Sequence, residues 1–408
     1  MDERGVLAGI RVIDCGTYVA GPAAATVMSD FGAEVIKIER PGGGDLWRLF
    51  SKLPGVAKCN LDWCWVLTNR NKKSVALDLG RPEGREVLLR LVGTADVFVT
   101  NYQRTLLEKF RLTWEDLAPV NRRLIYAHLT GYGDAGEDAD APAFDALAYW
   151  ARSGLMMSVT GSDGSPAAPR PAMGDHPTAM SMFGAIMLGL YRRERTGQGA
   201  RVTTSLLASG AWANACDIQA KLLNAEFPQR SAGGHPPNPL TAAYLSRDGK
   251  IFLLVLIDPD IEFPRLCRIL DQPELSASDL FCTNAAREEN AAALYEILRS
   301  QFEARDLAQW ADVFKRSDIK WAPLPRLEDV VKDPQLRAAE AIIGLNHPLA
   351  GHIETVNSPL FVSGESKRQP SAAPEVGAHT REILEQLGYS GAEIEALLRG
   401  TAKFQSGA

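Results

Sequence analysis

The chain has 408 residues, 46% of them hydrophobic and 23% charged, ordinary values for a globular protein of two or three domains. A net charge of −6 argues against a nucleic-acid partner, because a phosphate footprint needs concentrated lysine and arginine. The longest apolar run, Met180 to Tyr191, is too short to cross a bilayer, and Met1-Asp2-Glu3-Arg4 does not read as a signal peptide, so the expected location is the cytoplasm.

The first elements form a βαβ unit. Arg11–Asp14 reads as a short strand, and Gly16 to Pro22 as a glycine turn in which Pro22 suits a first helical position. Ala23–Phe31 has helix-forming composition and stops at Gly32, and Glu34–Glu39 alternates as a strand would. Such a unit aims a helix N-terminus and two strand ends at one crevice. Arg40 leaves the second strand where a phosphate would meet it. The turn lacks G-x-G-x-x-G, and no Gly-Lys-Ser/Thr follows. It is therefore neither a dinucleotide fingerprint nor a P-loop.

A second α/β stretch follows. Ser74–Leu79 reads as a strand, just after Lys72 and Lys73, and Pro82 opens a helix through Val92. Asp96–Thr100 is a strand ending in Asn101-Tyr102-Gln103-Arg104; Thr113 to Asp116 resembles a capping box, and Leu124–Leu129 is a further strand. Strands alternating with helices predict an α/β, doubly wound, mostly parallel sheet with ligands at its carboxyl edge. Phe144 to Leu155 and Pro177 to Arg195 read as helices, and Arg201–Leu206 as a strand. Composition shifts near Glu226. The strand-like runs Thr241–Leu245 and Ile251–Ile257 flank Asp248-Gly249, a hairpin signal. Helical patterns over Glu262–Leu270, Ala285–Phe302 and Leu307–Phe314 complete a smaller α+β domain, and the tail ends in a helix over His379–Leu387 and a capping box at Ser390 to Glu393. The expected division is a large domain over 1–225 completed by 331–408, and a small one over 226–330.

The six cysteines include no C-x-x-C, and the six histidines form no H-x-x-x-H. Free thiols in a reducing compartment and no metal are expected. Asp175 draws attention because it lies two positions before Pro177, at a helix start. A carboxylate there faces exposed N–H groups and the positive end of the helix dipole. An aspartate in this place commonly caps the helix. The same setting keeps a carboxylate nucleophile ionised.

Ten segments in order, among them LAGIRVIDCGTYVAGP, GAEVIKIERPGGGD, ADVFVTNYQR, MGDHPTAM, RRERTGQGARVTTSLL and SAGGHPPNPLTAAY, resemble the class III CoA-transferase family, which includes formyl-CoA and carnitine-type CoA-transferases. The resemblance implies a Rossmann-like large domain in an interlocked homodimer, with no permanently bound cofactor and with acyl-CoA and a carboxylic acid as substrates. It places the nucleophile on Asp175, and the CoA contacts on Tyr18, Arg40, the Lys72–Lys73 pair, Asn101, Tyr102 and Arg104. Gly233, Gly234 and His235 match a loop that closes over the thioester, although they are poorer in glycine than that loop in formyl-CoA transferases. Cys59, Trp63, Cys64, Trp65, Met156 and Met157 are candidates for the acid pocket or for core.

Racemases of this fold need a base on each face of the α-carbon and carry a histidine where this chain has Phe144. Phenylalanine shuttles no proton, which favours transfer, although His128 and His176 leave racemisation open. Transfer within one molecule, formally isomerisation, and a CoA-binding protein without catalysis are the other readings.

Overall fold

The structure is a computed structural model that describes residues 5–159, 165–227 and 235–402. The chain clusters into two units, one of residues 1–159, 166–218 and 340–408, the other of 160–165 and 219–339.

The first unit is built on six strands: β1 (Arg11–Asp14), β2 (Glu34–Glu39), β3 (Lys73–Ala76), β4 (Val97–Thr100), β5 (Ile125–Thr130) and β6 (Ala200–Ser205). They form one sheet in the order β3-β2-β1-β4-β5-β6, parallel throughout. The order reverses between β1 and β4, where a doubly wound sheet opens a crevice at its carboxyl edge. This is the expected Rossmann-like architecture.

Its helices include α1 (Ala20–Asp30), α2 (Trp63–Asn69), α3 (Pro82–Gly93), α4 (Arg104–Phe110), α5 (Trp114–Leu117), α6 (Leu155–Ser158), α7 (Asp175–Thr196) and α8 (Leu206–Ala213), with two more in the tail, Thr380–Gln386 and Gly391–Ala402. Successive strand residues point to opposite faces, so the sheet feeds two cores. Val12, Val35, Val97 and Ile125 pack with Met28 of α1 and with Met182 and Ile186 of α7. Ile13, Ile36, Phe98 and Tyr126 pack with Val87, Leu88 and Leu91 of α3 and with Ile383 and Leu384 of the tail.

Lys37 departs from the alternating pattern read for β2. Its side chain is buried, paired with Asp45 at 2.9 Å and Asp14 at 3.7 Å. A central parallel strand is covered on both faces, so a charge there needs internal partners.

The predicted helix from Phe144 becomes a π-helical turn, Ala146–Ala151, and the short α6. The helix predicted over Ala285–Phe302 divides at Asn290 into Asn284–Glu289 and Ala291–Phe302. The second unit holds an antiparallel sheet of β7 (Thr241–Leu245), β8 (Ile251–Val255) and β9 (Trp321–Pro323). Gly249 takes φ 72° in the β7–β8 turn, which suits glycine. Phe252, Phe302, Trp310 and Phe314 form this unit's core. Back in the first unit, β10 (Ile342–His347) and β11 (Gly351–Val356) make a hairpin. Among the described residues no helix is long and apolar enough to cross a membrane, and no cluster of side chains suits a metal ion.

Candidate active site

A cleft of about 1320 Å³ opens along the carboxyl edge of the six-stranded sheet. Tyr18, Arg40, Asn101, Tyr102, Arg104 and Asp175 all line it. The parallel topology brings them together, because each follows a strand end or starts a helix that returns to the sheet.

The turn after β1 is held rigidly. The Asn101 amide brackets Thr17, accepting from its N–H and donating to its carbonyl, both at 2.8 Å. Asp45 Oδ1 accepts from the Thr17 hydroxyl at 2.7 Å and from the Tyr18 N–H at 3.1 Å. Tyr18 thereby adopts φ 59°, a left-handed conformation costly for a non-glycine residue and typical of functional turns. Its ring meets Phe144 edge to face at 5.7 Å. Asn101 spends its amide on the turn, so it shapes this bank of the cleft. Tyr102 is half-buried, and burial, with the Cys15 thiol a lesser cause, raises its phenol well above its ordinary range.

The four basic candidates separate. Arg40 is exposed beside the cleft and makes no ion pair among the described residues. Arg104 is exposed and pairs with Glu108 at 3.0 Å. Lys72 and Lys73 do not line the cleft. Lys72 is buried, and its ammonium donates to Asp14 (2.8 Å), the Pro22 carbonyl (2.7 Å) and Asn69 (2.9 Å), which uses all three of its protons. Lys73 sits at the amino end of β3, ion-paired with Glu34 and Glu382 at 3.0 and 2.8 Å. The start of a parallel strand lies at the edge opposite the site. Both lysines are therefore structural here.

Asp175 is the first residue of α7, two positions earlier than predicted. It does not cap the helix; Asp145 does. Asp145 Oδ2 accepts from the N–H groups of Gly174 at 2.8 Å and Asp175 at 3.4 Å. The Asp175 carboxylate is left without a hydrogen-bond partner among the described residues, half-buried at the cleft wall. Burial, with the Asp145 charge second, pushes it up to about 7. This differs from the expectation of a fully ionised group. Desolvation and a like charge outweigh the helix dipole, which is worth only about 1 kcal/mol. Asp145 itself is raised by burial, held back by the two N–H groups.

Close packing sets this start. A Cβ on Gly174 would lie 2.4 Å from the Tyr149 ring, and Tyr149 belongs to the π-helical turn that follows Asp145. Such turns recur at functional sites.

Of the other candidates, Gly233 and Gly234 lie outside the described residues. His235 belongs to the second unit, 3.6 Å from Glu296 and beside the Tyr295 ring. Cys59, Trp63, Cys64, Trp65, Met156 and Met157 do not line the cleft. Cys64 and Trp65 are core, and Trp65 lies under Arg48 at 3.6 Å. His176 is half-buried and does not line the cleft. His128 does, with Nε2 on the Tyr102 carbonyl at 3.0 Å and Nδ1 3.7 Å from Asp134, which also pairs with Arg201 at 2.8 Å. Sequence reasoning met Asp145 only as the neighbour of Phe144. Its bond to Gly174 spans 29 positions and leaves no local signal.

Residues 7–380 match the family model described as CoA-transferase family III. The chain is 34% identical over 402 residues to a succinyl-CoA:glutarate CoA-transferase of Mus musculus, covering 97% of this chain and 90% of that protein. It is 28% identical to an (R)-2-hydroxy-4-methylpentanoate CoA-transferase of Clostridioides difficile, covering 95% and 97%. A crystal structure of a CaiB/BaiF family protein from Brucella suis superposes with a TM-score of 0.82 at 27% identity, covering 94% of this chain and all of that one.

Proposed function

This chain belongs to CoA-transferase family III, and from that premise we propose that it moves coenzyme A between carboxylic acids through covalent adducts on Asp175. The observation that carries the proposal is the setting of Asp175, an uncapped carboxylate on the wall of the cleft, pushed up to about 7. A carboxylate of ordinary basicity is a poor nucleophile toward a thioester. Raising its basicity while leaving a large ionised fraction near neutrality improves the attack.

The steps balance without an outside reagent. An Asp175 oxygen attacks the thioester carbonyl, the C–S bond breaks, and CoA leaves as thiolate while a mixed anhydride forms. The thiolate attacks the Asp175 carbonyl of that anhydride. This expels the first acid as its carboxylate and leaves an aspartyl-CoA thioester. The second acid attacks that thioester, making a new anhydride, and the returning thiolate takes the new acyl group and frees Asp175. Binding energy from the distant nucleotide is directed to these reacting atoms. Arg40 and Arg104 meet CoA phosphates, arginine being suited to bidentate contact, and Tyr18, Tyr102 and the Asn101-braced turn carry the arm toward Asp175. Lys72 and Lys73 take no part.

Asp175→Asn tests the mechanism. Turnover falls at least 10³-fold while the affinity for CoA stays within about twofold, and mass spectrometry of the wild type during turnover finds Asp175 carrying an acyl or CoA group. Undiminished transfer by the variant refutes the assignment. Family membership also implies a homodimer, and sedimentation at working concentration reads the oligomeric state directly.

A further inference from the structure

Arg170 has no role in the scheme above, yet it lines the same cleft as Asp175. It is exposed, and its guanidinium makes no hydrogen bond or ion pair among the described residues. One tight turn separates it from the nucleophile: the Met173 N–H donates to the Arg170 carbonyl at 3.4 Å, and the His176 N–H to the Ala172 carbonyl at 3.3 Å. Ala172 in that turn takes φ 65°, strain that persists only where the surroundings impose it.

The cleft's other arginines are elsewhere or engaged. Arg104 is assigned to a CoA phosphate above, and Arg201 holds Asp134. Arg40 follows β2, on the far side of β1 and β4 from the strands β5 and β6 that α7 packs against. The proposed function assigns it to the phosphates of CoA. Near Asp175 the remaining charge is negative, because Asp145 lies beside it. An acid carrying a second carboxylate would enter against two negative groups unless a cation met it.

From this juxtaposition we infer that Arg170 receives the remote carboxylate of a dicarboxylic acid or its CoA thioester, and so sets the acid class. The guanidinium fork pairs bidentately with the free carboxylate while the other end reacts at Asp175. This rests on the transfer reading above.

Matched substrates test it. Succinyl-CoA is compared with butanoyl-CoA as donor, and glutarate with pentanoate as acceptor; each pair has equal carbon count and differs in one carboxylate. The wild type favours the dicarboxyl member of each pair by at least ~10-fold in kcat/KM. Arg170→Gln abolishes that preference through KM, leaves the monocarboxyl rates and the Kd for free CoA within about twofold, and Arg170→Lys retains part of it. A wild type without the preference, a preference that survives Arg170→Gln, or a raised Kd for free CoA overturns the inference. Failure of the transfer reading looks different: no acid of either class gains CoA, and no adduct forms on Asp175.

Discussion

Burial is the larger cause that raises Asp175 and the like charge of Asp145 the second, and Asp145→Asn separates that charge from the capping role. The amide oxygen still accepts from the Gly174 and Asp175 N–H groups, but the negative charge is gone. The proposed attack requires ionised Asp175, so kcat/KM of the wild type is expected to fall about tenfold per pH unit below a midpoint near 7. Removing a like charge lowers the pKa of its neighbour. The acid limb of the variant therefore moves to lower pH, and stays above the ordinary carboxylate range because burial remains. An unmoved midpoint rules out charge coupling between the two. Lys72 answers a different question at the same scale. Burial would push Asp14 up, but Lys37 and Lys72 override it and hold it low. Lys72→Met strips Asp14 of one cation and leaves Asn69 and the Pro22 carbonyl without their donor. The expected cost is about 3 kcal/mol, read as a lower urea midpoint. If Lys72 instead contacts coenzyme, stability is kept and the affinity for CoA falls.

The register of α7 at its first residue decides whether Asp175 faces the cleft. Gly174 lies against Tyr149 with no room for a methyl group, so Gly174→Ala must move the π-helical turn or the helix start. Overpacking of this kind costs about 1–3 kcal/mol, and a displacement of about 1 Å at a reacting group costs on the order of 100-fold in rate. The expected result is a folded protein with kcat down roughly 100-fold and CoA affinity retained, since the proposed CoA contacts Arg40 and Arg104 lie on other elements. Wild-type kcat in this variant removes the packing argument. Elements of this kind were legible to different degrees. Strands β1 and β2 match their sequence reading because β-branched runs are bounded by glycine turns, and the Thr113 capping box is present as read. The π-helical turn was invisible, because its residues have ordinary helical composition and the wider turn answers to Gly174 and Gly210 packing on Tyr149. Hairpin β10–β11 was also missed, since Gly344, Asn346 and His347 interrupt its alternation.

Across the whole chain, the legible part is what repeats locally, and the hidden part is what joins distant segments. The βαβ pattern and the position of Asp175 could be read along the sequence. The structural roles of Lys72 and Lys73 could not, because Asp14 lies 58 positions from Lys72 and Glu382 lies 309 from Lys73. The tail is the largest such case. β3 is an edge strand, and an open edge invites pairing with other chains. Here the tail covers it: the Ser74 carbonyl accepts from the His379 N–H at 2.9 Å, the Thr380 hydroxyl accepts from the Ala76 N–H at 3.0 Å, and the Gly377 N–H donates to the Ser74 hydroxyl at 2.8 Å. The same segment ties the first helical layer, its Pro374 carbonyl accepting from Trp65 and Arg48 at 3.0 and 2.7 Å. Ile383 and Leu384 add two buried side chains, each worth about 2 kcal/mol. Deleting residues 366–408 therefore uncovers β3 and opens one core together. The truncated chain should elute in the void volume on size exclusion at concentrations where the full chain is monodisperse. A monodisperse truncated chain with the far-ultraviolet spectrum of the full protein would show that the sheet needs no cover at β3 and that the tail serves some other end.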